Sequence, residues 1–397
     1  MEYFLGMSNY EMLECLARCP RADHDALSLV CKRVRSIVRD PAFQAARRRT
    51  PLTYMSCLEE AIILVGGRNM QSNGSLHGEG SLLDSRGQWI KIAPVLEPVA
   101  GNHLVTAAGE VYSVGGFHGN TMGPPCACMM IYNPVANRWR PGPVWARART
   151  LSLVVAAHDK IFIFGGQDRM MCGNELTACD VYDPALGKWS PIANLPDHGY
   201  HRYPCYEGGE PDYAFSDSED EDFQAPYCHC AGGAVVGDRI YVFGGQFDDQ
   251  VCTSRVLAYE ITTDTWYKCA DMPEPRYYAE CHAVGTDIIC MGGIGNDGPM
   301  EDRGLSASKP PIKTAWVYDT VENTWDDLED SPLPNGDPVV MHGKGTSRKI
   351  SSLSFNGDGK RGAMSYDVAS DTWDEVGAVP GLPQGHAGMC GIATVEF

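Results

Sequence analysis

Five tyrosines, Tyr132, Tyr182, Tyr259, Tyr318 and Tyr366, each stand seven residues before a tryptophan, at Trp139, Trp189, Trp266, Trp325 and Trp373. With 18 tyrosines and 8 tryptophans among 397 residues, chance would supply fewer than one such pair, so the chain carries an internal repeat. Trp89 adds a sixth tryptophan, with Leu82 in the tyrosine position. No single globular core with a non-repeating layout accommodates this spacing.

A second marker runs ahead of the first. Apolar segments such as 61–65, 110–114, 160–164, 239–243 and 287–291 each end in a glycine pair: Gly66-Gly67, Gly115-Gly116, Gly165-Gly166, Gly244-Gly245 and Gly292-Gly293. One such pair is weak, because glycine serves any turn that needs positive φ or close backbone approach. Five of them in step with the tryptophans mark a recurring strand end. Two residues before the six tryptophans stand Gly87, Asn137, Gly187, Asp264, Asn323 and Asp371, types that tolerate the left-handed backbone of a tight hairpin.

Each unit therefore predicts four antiparallel strands: an apolar run, the strand ending in Gly-Gly, the tyrosine strand and the tryptophan strand. One such sheet has two apolar faces and must be covered on both, which radial packing achieves. In these glycine pairs, in the tyrosine-to-tryptophan spacing and in segments such as Lys160-Ile161-Phe162-Ile163-Phe164-Gly165-Gly166, the chain resembles the kelch-repeat β-propellers. The expected fold is an all-β, six-bladed kelch β-propeller over residues 50–397, preceded by a small α-helical domain over 1–49. In the sixth unit Asn356-Gly357-Asp358-Gly359 replaces the glycine pair. The tail 386–395 and the segment 52–57 compete to close the ring in the first blade.

The first fifty residues differ in charge, with 9 basic and 6 acidic residues against 23 and 45 in the remainder. Ser8 and Glu11 form a capping box for a helix carrying Met12, Leu13, Leu16 and Ala17, which Pro20 ends. Asp23 caps a second helix with Leu27, Val30, Val34, Ile37 and Val38 on one face, and Asp40-Pro41 opens a third. So short a region cannot hide that apolar surface alone, so the next domain or a partner must cover it.

The run 12–18 followed by 26–33 resembles an F-box, the helical module that docks on the adaptor of cullin-RING ubiquitin ligases, and F-box followed by kelch is a plant-like arrangement. Met7-Ser8 and Val34 depart from the family's usual Leu-Pro start and tryptophan. The resemblance implies an SCF-type substrate receptor without chemistry of its own. Its adaptor-binding residues would be Leu13, Leu16, Leu27, Val30 and Val34, its partners the adaptor, a cullin and an unidentified target protein. A small helical cap on a scaffold propeller without a ligase role is the alternative, and a propeller enzyme a further one.

Net charge of −19 repels phosphate backbones and anionic membranes, so neither nucleic acid nor membrane is expected as a partner. With no secretory signal pattern and no long apolar run, the sequence reads as cytoplasmic or nuclear. Its 16 cysteines, Cys281 and Cys290 among them, then read as reduced core residues, without disulfides.

Four alternating strands bring the strand 2–3 connections and the blade-to-blade connections to one face. Both large insertions, 198–228 and 294–314, fall there, and long loops on a rigid scaffold are usual recognition surfaces. Arg149 and Arg276 each stand sixteen residues before a glycine pair, at the mouth of that face, and in kelch receptors similar arginines contact acidic or polar partner segments. With His201 and Tyr277 they are the expected target-binding residues, although pairing with the surplus carboxylates is an alternative use. Residues 216–222 are too charged to bury and are expected to be disordered, with Ser216 and Ser218 open to an acid-directed kinase.

Catalytic and metal readings find less support. Cys228-His229-Cys230 near Cys205, and Cys126 with Cys128, carry zinc-ligand types at one-residue spacing, unlike the usual two to four. The acidic run 217–221 lacks the glycine bend and flanking helices of a calcium loop. His158, His201 and His282 have no nominated carboxylate partner, and no nucleophile elbow, phosphate loop or zinc-protease helix occurs. No cofactor, metal or catalytic residue is expected.

Overall fold

In the computed structural model the described residues are 16, 32–38 and 40 of the first fifty-nine and most of 60–396. Within the latter, the stretches 70–74, 84–88, 119–124, 169–175, 197–199, 203–212, 216–230, 248–250, 296–311, 329–338, 343–348, 356–360, 368–369 and 378–390, and a few single positions, lie outside the description.

Six four-stranded antiparallel sheets make up the repeats. From the axis outward, blade 1 is Gly391–Glu396, Glu60–Val65, Gly80–Leu83 and Trp89–Ile92. Blade 2 is His103–Ala107, Glu110–Val114, Met129–Asn133 and Arg138–Pro141. Blade 3 is Leu153–Ala157, Lys160–Phe164, Cys179–Asp183 and Lys188–Ile192. Blade 4 is Gly232–Val236, Arg239–Phe243, Val256–Glu260 and Thr265–Lys268. Blade 5 is Glu280–Val284, Asp287–Met291, Ala315–Asp319 and Thr324–Leu328, and blade 6 is Val339–His342, Lys349–Phe355, Arg361–Asp367 and Thr372–Gly377.

The ring closes through its C-terminal strand. Gly391–Glu396 takes the innermost place in blade 1, with Glu396 opposite Glu60 and Gly391 opposite Val65. The competing segment 52–57 lies outside the described residues. Because the first and last strands of the ring share one sheet, the ring cannot open without breaking that ladder.

The core lies between blades. Ile63, Val65 and Leu82 pack against Val111, Tyr132 and Trp139 between blades 1 and 2. Tyr112 and Val114 meet Ile161, Ile163 and Tyr182 between blades 2 and 3, and Phe162 and Phe164 meet Ile240 and Tyr259 in the next gap. Phe243 meets Ile288 and Tyr318, and Ile289 and Met291 meet Tyr366. The second strands of blades 2 to 5 are buried on both faces, which explains why 160–164 reads as a continuous apolar run and not as an alternation.

In blades 2 to 6 the tyrosine and tryptophan are directly opposite across strands 3 and 4, as for Tyr259 and Trp266, with ring centroids 5.1 Å apart, whereas in blade 1 Trp89 stands opposite Leu83 and Leu82 opposite Ile90. In blades 2 to 5 the indole then reaches into the preceding blade: Trp139, Trp189, Trp266 and Trp325 Nε1 donate to the carbonyls of Ala93, Pro143, Ala193 and Ala270 at 2.8, 3.1, 3.1 and 3.0 Å, whereas Trp373 Nε1 in blade 6 finds no partner among the described residues. The turn residues adopt the expected positive φ, at 46° for Asn137, 54° for Asp264 and 57° for Asn323. They also do something the hairpin alone did not require. Their Oδ1 atoms accept the amides of Ala93, Ala193 and Ala270 at 2.8, 2.7 and 2.7 Å, and the hydroxyls of Tyr132, Tyr259 and Tyr318 at 2.9, 2.7 and 2.5 Å. One residue of the previous blade is thus held at both its N–H and its C=O. In blade 3 the turn residue is Gly187, which has no acceptor, and the residue it would face is Pro143, which has no amide.

In the helical region Lys32–Val38 forms helix α1, with Val34 and Ile37 buried and Lys32, Arg35 and Ser36 exposed. Leu16 is helical and buried. Of the two apolar helix faces expected from the sequence, these three side chains are the ones described, and all three are buried. Among the described residues no helix is long and apolar enough to cross a membrane.

Candidate partner-binding face

The second glycine of three of the pairs shapes the loop face. Gly116, Gly166 and Gly293 have φ of 95°, 94° and 90°, and a Cβ there would come within 2.7, 2.7 and 2.6 Å of the carbonyl oxygens of Ala100, Thr150 and Tyr277. Only glycine lets the blade-to-blade connection lie so close on the strand 2–3 connection. Bridges Ala100↔Phe117, Thr150↔Gln167 and Tyr277↔Ile294 then join the two connections, and so they do share a face.

Arg149 and Arg276 hold this junction from inside. Arg276 is 0% exposed; its Nη1 donates to the carbonyls of Gly292 at 2.8 Å and Thr314 at 3.0 Å, and its Nη2 to Thr314 Oγ1 at 2.7 Å. Its guanidinium lies 3.9 Å from the Trp316 ring centre, with Glu274 at 3.5 Å. Arg149, equally buried, donates to the carbonyls of Gly165 and Ala178 and pairs with Asp180. Burial pulls both pKa values down, against Asp180 for Arg149 and against Cys290 and Glu274 for Arg276. The sixteen-residue offset is thus the distance from each arginine to the first-glycine carbonyl that it caps. Such a position locks a blade and leaves little to offer a partner; for Arg149 the ion pair with Asp180 is the alternative use anticipated from the charge surplus.

Two residues beyond each arginine the backbone turns left-handed without glycine. Leu151 has φ 59° and Tyr278 φ 54°, where blade 2 has Gly101 at 66°. Holding bulky residues there costs about 1–3 kcal/mol each, and such strain concentrates at recognition sites. Tyr278 is 46% exposed, and its ring lies 5.2 Å from that of buried Tyr277. Beneath them Tyr277, Cys252, Leu151 and Ile294 form a small apolar cluster that draws on three successive blades. Tyr277 is therefore at the expected mouth but supports it from below, while the exposed aromatic is Tyr278, which the sequence reading missed. The signal was available: it occupies the Gly101 slot.

His201 sits in a two-stranded ribbon, Tyr200–Arg202 with Tyr213–Phe215, so the first insertion has ordered structure at its base. Leu13, Leu27, Val30, Gly67, Ser216, Ser218, the acidic run 216–222 and the Cys205, Cys228–Cys230 group lie outside the described residues. The expectation of no disulfides is corrected: Cys126 and Cys128, Cα atoms 5.2 Å apart, are joined. The segment curls there, so that side chains two apart converge. Cys281 and Cys290 are buried and free, as expected, facing each other across strands with sulfurs 3.4 Å apart.

The innermost strands carry partly buried titratable groups. His103 and His282, on innermost strands, have pKa values lowered to about 4 by loss of hydration, and for the same reason Glu280 is raised to about 7. His282 Nε2 and Glu280 lie 3.9 Å apart, too far for a proton-sharing hydrogen bond.

Comparison with known proteins agrees with this architecture. The Kelch motif model matches residues 98–143, 148–196, 227–273 and 275–332, the units of blades 2 to 5, and the F-box domain model matches residues 4–44. Relatives include "Kelch-like protein terF" of Aspergillus terreus, 26% identical over 65% of this chain and 51% of its own. "Kelch-like protein 36" of Bos taurus is 20% identical over 87% and 50%, and "F-box/kelch-repeat protein At1g22040" of Arabidopsis thaliana 22% over 53% and 44%. The chain thus spans about half the length of the curated relatives it matches. The solved structure of YjhT superposes with a TM-score of 0.58 over 79% of this chain and 96% of its own, at 14% identity, a likeness of fold. With a closed six-bladed ring, glycine pairs in five of its units and an F-box ahead of it, the chain belongs to the kelch-repeat family, as an F-box/kelch-repeat protein.

Proposed function

We propose that this protein is the substrate-recognition subunit of an SCF-type cullin-RING E3 ubiquitin ligase. The F-box region holds the adaptor and, through it, the cullin, while the loop face of the propeller binds a target protein. The single observation that carries the reading is the F-box match at residues 4–44 directly ahead of a six-bladed kelch ring. The chain performs no bond chemistry in this scheme. It raises the target's effective concentration at the ligase and orients it. In support, loss of hydration holds His103 and His282 neutral, which suits packing, and among the described residues no carboxylate lies within hydrogen-bond reach of His282. The ligases of this class work in cytoplasm and nucleus, which is where the protein would act.

Affinity capture tests the assignment. The full chain should recover adaptor and cullin, and a chain lacking residues 1–49 should lose both while keeping the target. Equal recovery of adaptor and cullin by the two chains would reject the ligase role and leave a scaffold propeller.

A further inference from the structure

Among the described residues the loop face carries one cluster of potential metal ligands. Glu97, on the connection into blade 2, and His118, Cys126 and Cys128, on its strand 2–3 connection, bring one carboxylate oxygen, one ring nitrogen and two sulfurs within 4.8 Å of one another. His118 Nε2 is 4.0 Å from Cys128 Sγ. The four ligands of a tetrahedral zinc ion stand roughly 3.3–3.8 Å apart, given metal–ligand bonds of about 2.0–2.3 Å, so the set closes once the reduced sulfurs separate and the imidazole and carboxylate shift slightly inward.

The backbone builds this arrangement. Phe117 pairs with both Ala100 and Pro125, through Ala100 N to Phe117 O at 3.2 Å and Phe117 N to Ala100 O at 3.0 Å. His118 follows Phe117, Cys126 follows Pro125, and Glu97 is three residues before Ala100, so three strands of loop deliver the ligands together. The amide of Cys126 donates to Gly116 O at 2.8 Å, fixing the first cysteine. The amide of Cys128 donates to Cys126 Sγ at 3.1 Å, a contact that strengthens when the sulfur is a thiolate. The buried Cys126 supplies a low-dielectric wall, and exposed Glu97 leaves a path for an ion.

We propose that Glu97, His118, Cys126 and Cys128 bind one zinc-class divalent cation when the two cysteines are reduced. The disulfide and the metal site are alternative states of the same pair. Two small-molecule thiols reduce the Cys126–Cys128 bond, giving two protein thiols and one low-molecular-weight disulfide. The cation then displaces the two thiol protons to solvent and is bound by two thiolates, one imidazole nitrogen and one carboxylate. Thiolate and imidazole ligands select zinc over magnesium or calcium. Bound there, the ion fastens the connection into blade 2 to the strand 2–3 connection and stiffens this sector of the loop face. The one-residue cysteine spacing hid the site, because its other two ligands come from outside the motif.

The test uses the full chain, purified, reduced with a non-thiol phosphine or oxidised, and loaded with zinc or cobalt. The reduced chain should retain about one equivalent more zinc against a chelator than the oxidised chain, and its cobalt form should show thiolate charge-transfer absorption. Cys126→Ser with Cys128→Ser should remove that equivalent, and His118→Ala should weaken binding at least about tenfold while keeping both thiols. Thermal unfolding of each variant checks that the blades persist. Equal zinc retention by the reduced wild type and by a folded double-serine variant would overturn the proposal, as would equal retention by the oxidised chain.

Discussion

Single side chains set the character of the loop face. Tyr278 is held at φ 54° with nearly half its surface in water, so its conformation is costly and its burial modest. Tyr278→Gly should raise stability by about 1 kcal/mol in urea unfolding, since glycine adopts this backbone without strain. The same variant should recover less target in affinity capture. A gain in stability with unchanged target recovery would remove Tyr278 from the binding face. Arg149 and Arg276 show the limit of residue-level reading: their offset from the glycine pairs is legible, but the direction of the side chain depends on carbonyls 16 to 38 residues away.

Titration belongs to the residue scale as well. His103 and His282 have folded pKa values near 4 against an ordinary 6.5, so between those values the unfolded chain binds more protons and stability rises with pH. Their contribution is complete above pH 6.5 and is lost as pH falls to 4, with an upper bound on the order of 3 kcal/mol for each. Glu280 acts in the opposite sense: its contribution is present below its ordinary 4.5 and is lost as pH rises through about 7. With 41% of its side chain in solvent, it is outweighed by the two histidines. Unfolding midpoints measured from pH 4 to 7 should therefore climb for the wild type. The double variant His103→Gln with His282→Gln should give a flatter profile, and identical slopes would contradict the burial argument.

At the scale of the element, the blade is a hairpin hooked onto its predecessor. Asn323 provides the left-handed turn and accepts from Tyr318 and from the Ala270 amide, and Trp325 donates to the Ala270 carbonyl. Asn323→Gly keeps the turn and removes both acceptor contacts, so it should cost about 1–3 kcal/mol in equilibrium unfolding. A change below about 0.5 kcal/mol would show that the turn alone matters. The repeat was legible because its turn, its glycine pair and its tyrosine–tryptophan pairing are all local in sequence. The hook was not, because its acceptors lie 46 to 73 residues back. Blade 3 shows the two ends varying together, with Gly187 facing Pro143, where neither acceptor nor amide exists.

The whole molecule is a ring whose ends meet in one sheet. The sequence offered two apolar segments for the closing place, and only ring geometry chooses Gly391–Glu396. The metal cluster was equally hidden, since Glu97 joins it from the neighbouring connection. Removing residues 391–397 strips blade 1 of its inner strand and exposes the edge of Glu60–Val65. The truncated chain should unfold at lower denaturant and be cut by protease first near blade 1; an unchanged midpoint would contradict the closure. In the F-box region Leu16, Val34 and Ile37 are buried. Titration of the purified adaptor subunit into the purified full chain, followed by calorimetry, addresses the receptor reading most directly. A saturable one-to-one binding heat that vanishes without residues 1–49 is the predicted result, and no binding by the intact chain would contradict it.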